Sequence, residues 1–283
     1  MNDYNIDILA IGAHPDDVEL GCSGTIAKEI AKGKKVGILD LTRGELGTRG
    51  TAEIRDSEAK IAADILGVSF RENLNFKDGF FINDLNHQLK LIEVIRKYKP
   101  SIILCNAIDD RHIDHPKGAK LVVDSCFLSG LKKINTICDG VNQEPWRPKN
   151  IYHYIQWKSL TPDFVVDISE YFETKIKAVK AFKSQFYDGN ESVHDTPIST
   201  KNFLDSIEYR AKDLGRLTSV NYAEGFIGFS LKSDDLLCEC SEFDEIIIFR
   251  QDGSYLVSKV EDKKFVGKNI VYAGLWKKND RHM

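Results

Sequence analysis

Nowhere in the 283 residues does an apolar run approach the roughly 20 residues that cross a bilayer. The first residues, MNDYNID, lack the basic region and apolar core of a secretory signal, so a cytoplasmic protein with no membrane partner is expected. No charge of one sign dominates: 39 Lys and Arg face 43 Asp and Glu, for a net charge of −4, which gives no reason to expect a polyanionic partner. The six cysteines, at 22, 105, 126, 138, 238 and 240, have no CxxC spacing, which argues against a zinc knuckle and a disulfide framework and leaves buried thiols. Cys22 has nothing beside it that would activate a nucleophile. Gly21-Cys22-Ser23-Gly24 is not GxGxxG, so a nucleotide-binding oxidoreductase is disfavoured.

What is present is an alternation of strand-like and helix-like segments. Short apolar runs at 6–12, 35–41 and 101–105 read as buried strands. Between and after them, 22–33, 53–66, 84–98 and 115–128 read as helices, with Gly33 and Gly67 where helix-ending glycines belong. This pattern predicts an α/β fold: a Rossmann-like, doubly wound, mostly parallel sheet with helices on both faces and right-handed crossovers. Ligands of such sheets gather beyond the carboxyl ends of the strands.

Two polar clusters fall at such ends. Ala13-His14-Pro15-Asp16-Asp17-Val18-Glu19 follows the first strand, and His112-Ile113-Asp114-His115 follows the strand at 101–105. Three ligands plus spare acid and base groups are what a hydrolytic zinc site requires, since such sites keep one position open for water. His14 and Asp17, three apart around a proline, can address one ion while Asp16 turns aside as a base. Asp114 and Pro116 read as the cap and first-turn proline of the helix at 115–128. A magnesium-binding, receiver-like signalling domain also places an acidic pair after its first strand, but it leaves His14, His112 and His115 without a role.

These motifs resemble the LmbE-like or PIG-L zinc deacetylases. The resemblance rests on Ala13-His14-Pro15-Asp16-Asp17 with Glu19 and Gly24, on Thr42-Arg43-Gly44-Glu45-Leu46-Gly47, on Arg55, and on Asp110-Arg111-His112-Ile113-Asp114-His115. Proline stands more often in the family where this chain has Ile113. Within the family the chain is most similar to the branch that deacetylates N-acetylglucosaminyl-malate in bacillithiol synthesis, through Tyr152 to Trp157, Lys183 to Tyr187 and Tyr222 to Phe226. The resemblance implies Zn2+, or another divalent ion, on His14, Asp17 and His115, with Asp16 as general base. His112 would be the acid or hold positive charge beside the oxyanion, with Asp114 tuning it. Arg55 would meet a carboxylate or the released acetate. The implied partner is a small N-acetylglucosamine conjugate: the malate conjugate, or another derivative such as chitobiose. A homo-oligomer is also implied.

Guanidinium forks suit a dicarboxylate, and Arg55, Arg111 and Arg210 are the candidates in that order. Tyr187 is a further candidate substrate contact, while His153 and His194 are bare histidines with no partner in sequence. The deacetylase domain is expected over 1–228. From Phe229 to Met283 the alternation gives way to a β-meander with strands at 245–250, 255–260 and 270–276. That segment resembles about one blade of the C-terminal propeller of type II topoisomerase A subunits, which implies an appendage. Lys263, Lys264, Lys268, Lys277 and Lys278 could contact DNA, but isolated lysines on strand edges commonly serve solubility, so no nucleic-acid partner is expected.

Overall fold

The computed structural model describes residues 4–187, 196–229, 245–251, 253–259 and 270–276. In chain order the main elements are β1 (Ile8–Gly12), α1 (Asp17–Ala31), β2 (Val36–Thr42), α2 (Ala52–Leu66), β3 (Phe70–Phe76), α3 (Leu85–Tyr98), β4 (Ile102–Cys105) and α4 (Asp114–Ser129). A small hairpin of β5 (Ile137–Cys138) and β6 (Val141–Asn142) follows. Next come β7 (Asn150–Tyr154), β8 (Phe164–Asp167), α5 (Phe172–Lys180), α6 (Lys201–Gly215) and β9 (Ala223–Phe229), then β10 (Glu245–Arg250), β11 (Tyr255–Lys259) and β12 (Ile270–Trp276). Contacts divide the chain into Met1–Leu231 and Lys232–Met283.

The first unit is built on a seven-stranded sheet of order β3-β2-β1-β4-β7-β9-β8. The first five are mutually parallel, and β9 runs antiparallel to both β7 and β8. The strand order reverses direction between β1 and β4, and that switch point is where the loops after these strands part to form a crevice. β1 and β2 are buried along their whole length, as continuous apolar runs in a doubly covered parallel sheet should be. One face packs Leu9, Ile11, Leu39 and Ile103 with Leu91 and Leu121 from α3 and α4. The other packs Ile8, Ala10 and Ile38 with Val18 and Ile26 of α1 and Ala178 of α5. The expected doubly wound architecture is the one observed.

Three local readings change. α1 begins at Asp17 rather than at 22, and its backbone leaves helical geometry at Cys22 (φ −148°, ψ 15°). The edge strand β3 carried no apolar run to announce it: its sequence is FRENLNF and it is only partly buried. Asp114 opens α4 but makes no side-chain cap, because its carboxylate is used elsewhere. The described residues of the second unit form a three-stranded antiparallel sheet, β11-β10-β12. Lys263, Lys264, Lys268, Lys277, Lys278 and His194 lie outside the described residues.

Candidate metal centre

After Gly12 the chain turns sharply, and Asp17 N–H donates to the His14 carbonyl at 3.2 Å. The turn forces Asp16 to φ 124°, a conformation that costs a non-glycine residue about 1–3 kcal/mol and needs outside support. Arg55 of α2 supplies it. Its Nη2 donates to the Pro15 carbonyl and, at 2.8 Å, to Asp16 Oδ2, and both side chains are almost fully buried. Gly44 makes room for this guanidinium: at φ +64°, a Cβ there would stand 2.2 Å from Arg55 Nη1.

Asp17, at the first turn of α1, is held from several sides. Its Oδ2 accepts the His14 N–H at 2.9 Å and Asn106 Nδ2 at 3.0 Å, and its Oδ1 accepts Gln156 Nε2 at 2.9 Å. Two imidazoles face the same carboxylate, His14 through Nδ1 at 3.5 Å and His115 through Nε2 at 3.0 Å. The far nitrogen of each ring sits on a second carboxylate: His14 Nε2 lies 3.0 Å from Asp78 Oδ1, and His115 Nδ1 lies 2.5 Å from Asp110 Oδ2. Metal-ligating histidines have this arrangement, because the outer carboxylate fixes the tautomer and raises the basicity of the inner nitrogen.

His112 also stands close, its ring 4.6 Å from His14 and 5.1 Å from His115, and nitrogens of the three rings lie within 4.8 Å of one another. It differs in its second nitrogen. His112 Nδ1 accepts the Asp114 backbone N–H at 3.3 Å instead of donating to a carboxylate, which leaves the proton of the neutral ring on Nε2.

The electrostatics of the metal-free site follow from this crowding. Burial depresses the His14 pKa, but the carboxylates of Asp114, Asp17 and Asp78 outweigh it and hold the ring well above its ordinary value. His115 is likewise pulled down by burial and carried up to about 9 by Asp17 and Asp110. Asp17 is penalised by burial yet held well below the usual carboxylate range, chiefly by His115. Burial pushes Asp16 up to about 7, against Arg55 and with the help of Asp17. His112 is lowered, by burial first and then by His14 and His115. In the metal-free chain the Asp17 carboxylate is thus flanked by two imidazoles that favour the protonated form.

Asp114 is fully buried, with Oδ2 accepting Gly79 N–H at 2.8 Å and Oδ1 accepting Lys117 Nζ at 2.7 Å. Its carboxylate reaches His14 Nε2 at 3.4 Å, so it bears on His14 more directly than on the His112 ring. Arg55 meets a carboxylate, and that carboxylate belongs to Asp16. Tyr187 is half-buried and does not line the cavity beside the site. His153 points elsewhere, with Nδ1 on the Asn106 carbonyl at 2.8 Å. Motif reading passed over Asp78, Asn106 and Gln156, which reach the site from distant segments.

The cavity in front of these groups measures about 470 Å³, ordinary for a small-molecule site. Beyond the histidines and carboxylates its wall includes Trp157, Phe203, Ile207 and Leu214. Trp157 stacks on Phe203 at 5.6 Å, and the Arg111 guanidinium lies over Trp157 at 4.6 Å. Arg210 donates to the Trp157 carbonyl at 2.8 Å. Among the described residues neither arginine has a carboxylate in salt-bridge contact.

A mostly parallel sheet whose switch point carries His14 and His115, each backed by a carboxylate, with the acid of Asp16 beside them, has the donor set of a metal-dependent hydrolase. Residues 9–126 match the family model described as GlcNAc-PI de-N-acetylase, PIG-L. The chain is 32% identical over 189 residues to the diacetylchitobiose deacetylase of Thermococcus kodakarensis, covering 63% of this chain and 70% of that protein. Among solved structures, the conserved protein TT1542 from Thermus thermophilus superposes with a TM-score of 0.71 at 33% identity, over 83% of this chain and all of that one. The N,N'-diacetylchitobiose deacetylase from Pyrococcus horikoshii superposes with a TM-score of 0.68 at 26% identity, over 79% and 84% of the two chains. The chain belongs to the PIG-L deacetylase family. Residues 216–283 match a different model, the topoisomerase C-terminal domain of Bacteroidota.

Proposed function

We propose that residues 1–228 form a metal-dependent N-deacetylase of N-acetylglucosamine conjugates in which His14 Nδ1, Asp17 and His115 Nε2 hold a divalent ion, zinc in the first instance. The observation that carries this reading is the pair of imidazoles turned toward one carboxylate, each with its far nitrogen on another. When bound, the ion supplies a Lewis acid for the amide carbonyl and makes a water molecule more acidic. Asp16, with its pKa near 7 and its carboxylate steadied by Arg55, takes a proton from the attacking water. The same carboxyl group, now protonated, can return that proton to the leaving amine. His112 remains neutral at pH 7, and its Nε2–H donates a hydrogen bond to the developing oxyanion. In this scheme Arg55 works on Asp16, and Asp114 orients His14 through its carboxylate and His112 through its backbone.

The substrate beyond the sugar is read from the cavity rim. Arg111 and Arg210 offer two guanidiniums beside Trp157, and they suit a carboxylate-bearing aglycone such as the malate of N-acetylglucosaminyl-malate. Diacetylchitobiose is the second reading, favoured by the names of two relatives. Acetate release from N-acetylglucosaminyl-malate, N,N'-diacetylchitobiose and free N-acetylglucosamine separates them. A preference for the malate conjugate that disappears in Arg111→Ala/Arg210→Ala supports the first. Preference for the disaccharide, unchanged in that variant, supports the second.

A further inference from the structure

We infer that Lys175 and Glu224 are positioning residues for the metal centre, acting through a break in α1. The inference rests on the reading of Asp17 as a ligand. α1 is two segments joined at a kink at Cys22, whose φ of −148° and ψ of 15° are not helical. An unbroken helix would pair the Gly24 N–H with the Leu20 carbonyl and the Ser23 N–H with the Glu19 carbonyl. Lys175 Nζ donates to the carbonyls of Leu20 at 2.7 Å and Glu19 at 3.1 Å, sharing the Glu19 carbonyl with the Ser23 hydroxyl at 2.7 Å. Glu224 accepts the Gly24 N–H at 3.0 Å and the Thr25 N–H at 2.7 Å. Lys175 and Glu224 close on each other at 2.7 Å, and both are almost fully buried.

One ion pair therefore supplies an ending for the first segment and a beginning for the second. The first segment is only Asp17 to Gly21, and it carries Asp17 into the centre at its amino end. It is pressed against β7 by close contact: a Cβ on Gly21 would stand 2.2 Å from the Tyr154 ring, whose hydroxyl donates to the Ile11 carbonyl at 2.9 Å. A buried ion pair is weak evidence for stability, since an apolar pair of similar volume is often as stable or more so. Its use here is directional. With the pair gone, Gly24 N–H and the Leu20 carbonyl regain each other by straightening the helix, which turns Asp17 away from His14 and His115.

The test is the double variant Lys175→Met/Glu224→Leu of the full chain, with Glu224→Gln as a milder variant should the first fail to fold. Zinc affinity is measured by chelator competition, with circular dichroism as the check on folding and kcat and KM taken separately. The expected result is a folded protein whose zinc affinity drops at least tenfold and whose kcat falls with KM nearly unchanged, a smaller drop of the same kind in Glu224→Gln, and affinity restored to within threefold in Lys175→Arg. A folded variant, double or single, that binds zinc as the unmodified protein does overturns the inference and leaves the metal centre standing. An unmodified protein that binds no zinc overturns the metal-centre reading itself and the inference with it.

Discussion

Removing the metal and raising the pH should destabilise this protein, and the size of the effect follows from His115. In the metal-free chain its pKa is about 9, against 6.5 for an unperturbed histidine, because Asp17 and Asp110 outweigh the cost of burial. A group whose pKa is higher in the folded state contributes stability that is fully present below the unfolded value and lost as pH rises through the folded value. That loss falls between about pH 6.5 and pH 9 and amounts to about 3 kcal/mol, with little discount for solvent because the side chain is only 11% exposed. Asp16, raised to about 7, acts with the same sign and has mostly finished by mid-window. His112 and His153, both lowered by burial, exert their effect below 6.5, whereas His14, held well above its ordinary value by Asp114, Asp17 and Asp78, adds to the loss with the same sign. Urea unfolding of chelator-treated protein at pH 6.5, 7.5 and 9 measures it, and stability should fall by at least about 3 kcal/mol across the series. With an equivalent of zinc the trend should flatten or reverse, since ligands release protons as they bind metal. Metal-free protein that is as stable at pH 9 as at pH 6.5 would refute the protonated-centre reasoning.

Other perturbations separate the roles. Asp17→Ala and His115→Ala should lose zinc by metal analysis, whereas Asp16→Ala should keep zinc and lose about a hundredfold or more in kcat; the opposite pattern between Asp16 and Asp17 would reverse the assignment of base and ligand. Asp110→Asn should weaken zinc binding about 10- to 100-fold in chelator competition, because it removes the outer partner of His115. Arg55→Ala should lower stability by about 3 kcal/mol in urea unfolding, since it leaves Asp16 buried without its cation, and it should leave KM less affected than kcat; a pure KM effect would return Arg55 to substrate binding. Truncation after Leu231 should leave acetate release unchanged, and a truncated protein that folds but no longer turns over would give the second unit a part in catalysis.

The sequence carried the centre's inner residues because they are local. His14, Asp16 and Asp17 share one turn after β1, Asp110 to His115 share another after β4, and the parallel alternation brings both turns to one sheet edge. The outer partners arrive from afar. Asp78 follows the polar edge strand β3, which has no apolar signature to mark the strand end that delivers it. Asn106 and Gln156 are amides at the ends of β4 and β7, and nothing in their neighbours distinguishes them from loop residues. The start of α1 was hidden for a different reason. Asp17 to Ala27 is buried on almost every side, so no amphipathic period exists to be read, and the break at Cys22 divides what pattern there is. Arg55 was legible as a cation and not as the partner of Asp16, because α2 crosses back over the first turn only in three dimensions.

A deacetylase that works through a divalent ion on His14, Asp17 and His115 must lose its activity with that ion. Acetate release from an N-acetylglucosamine conjugate, followed through chelation and stepwise return of zinc, tests it most directly. Chelation should abolish release, and activity should return in proportion to zinc and level off at about one ion per chain. Release that survives full removal of metal, or that zinc cannot restore to a chelated but folded protein, would contradict it.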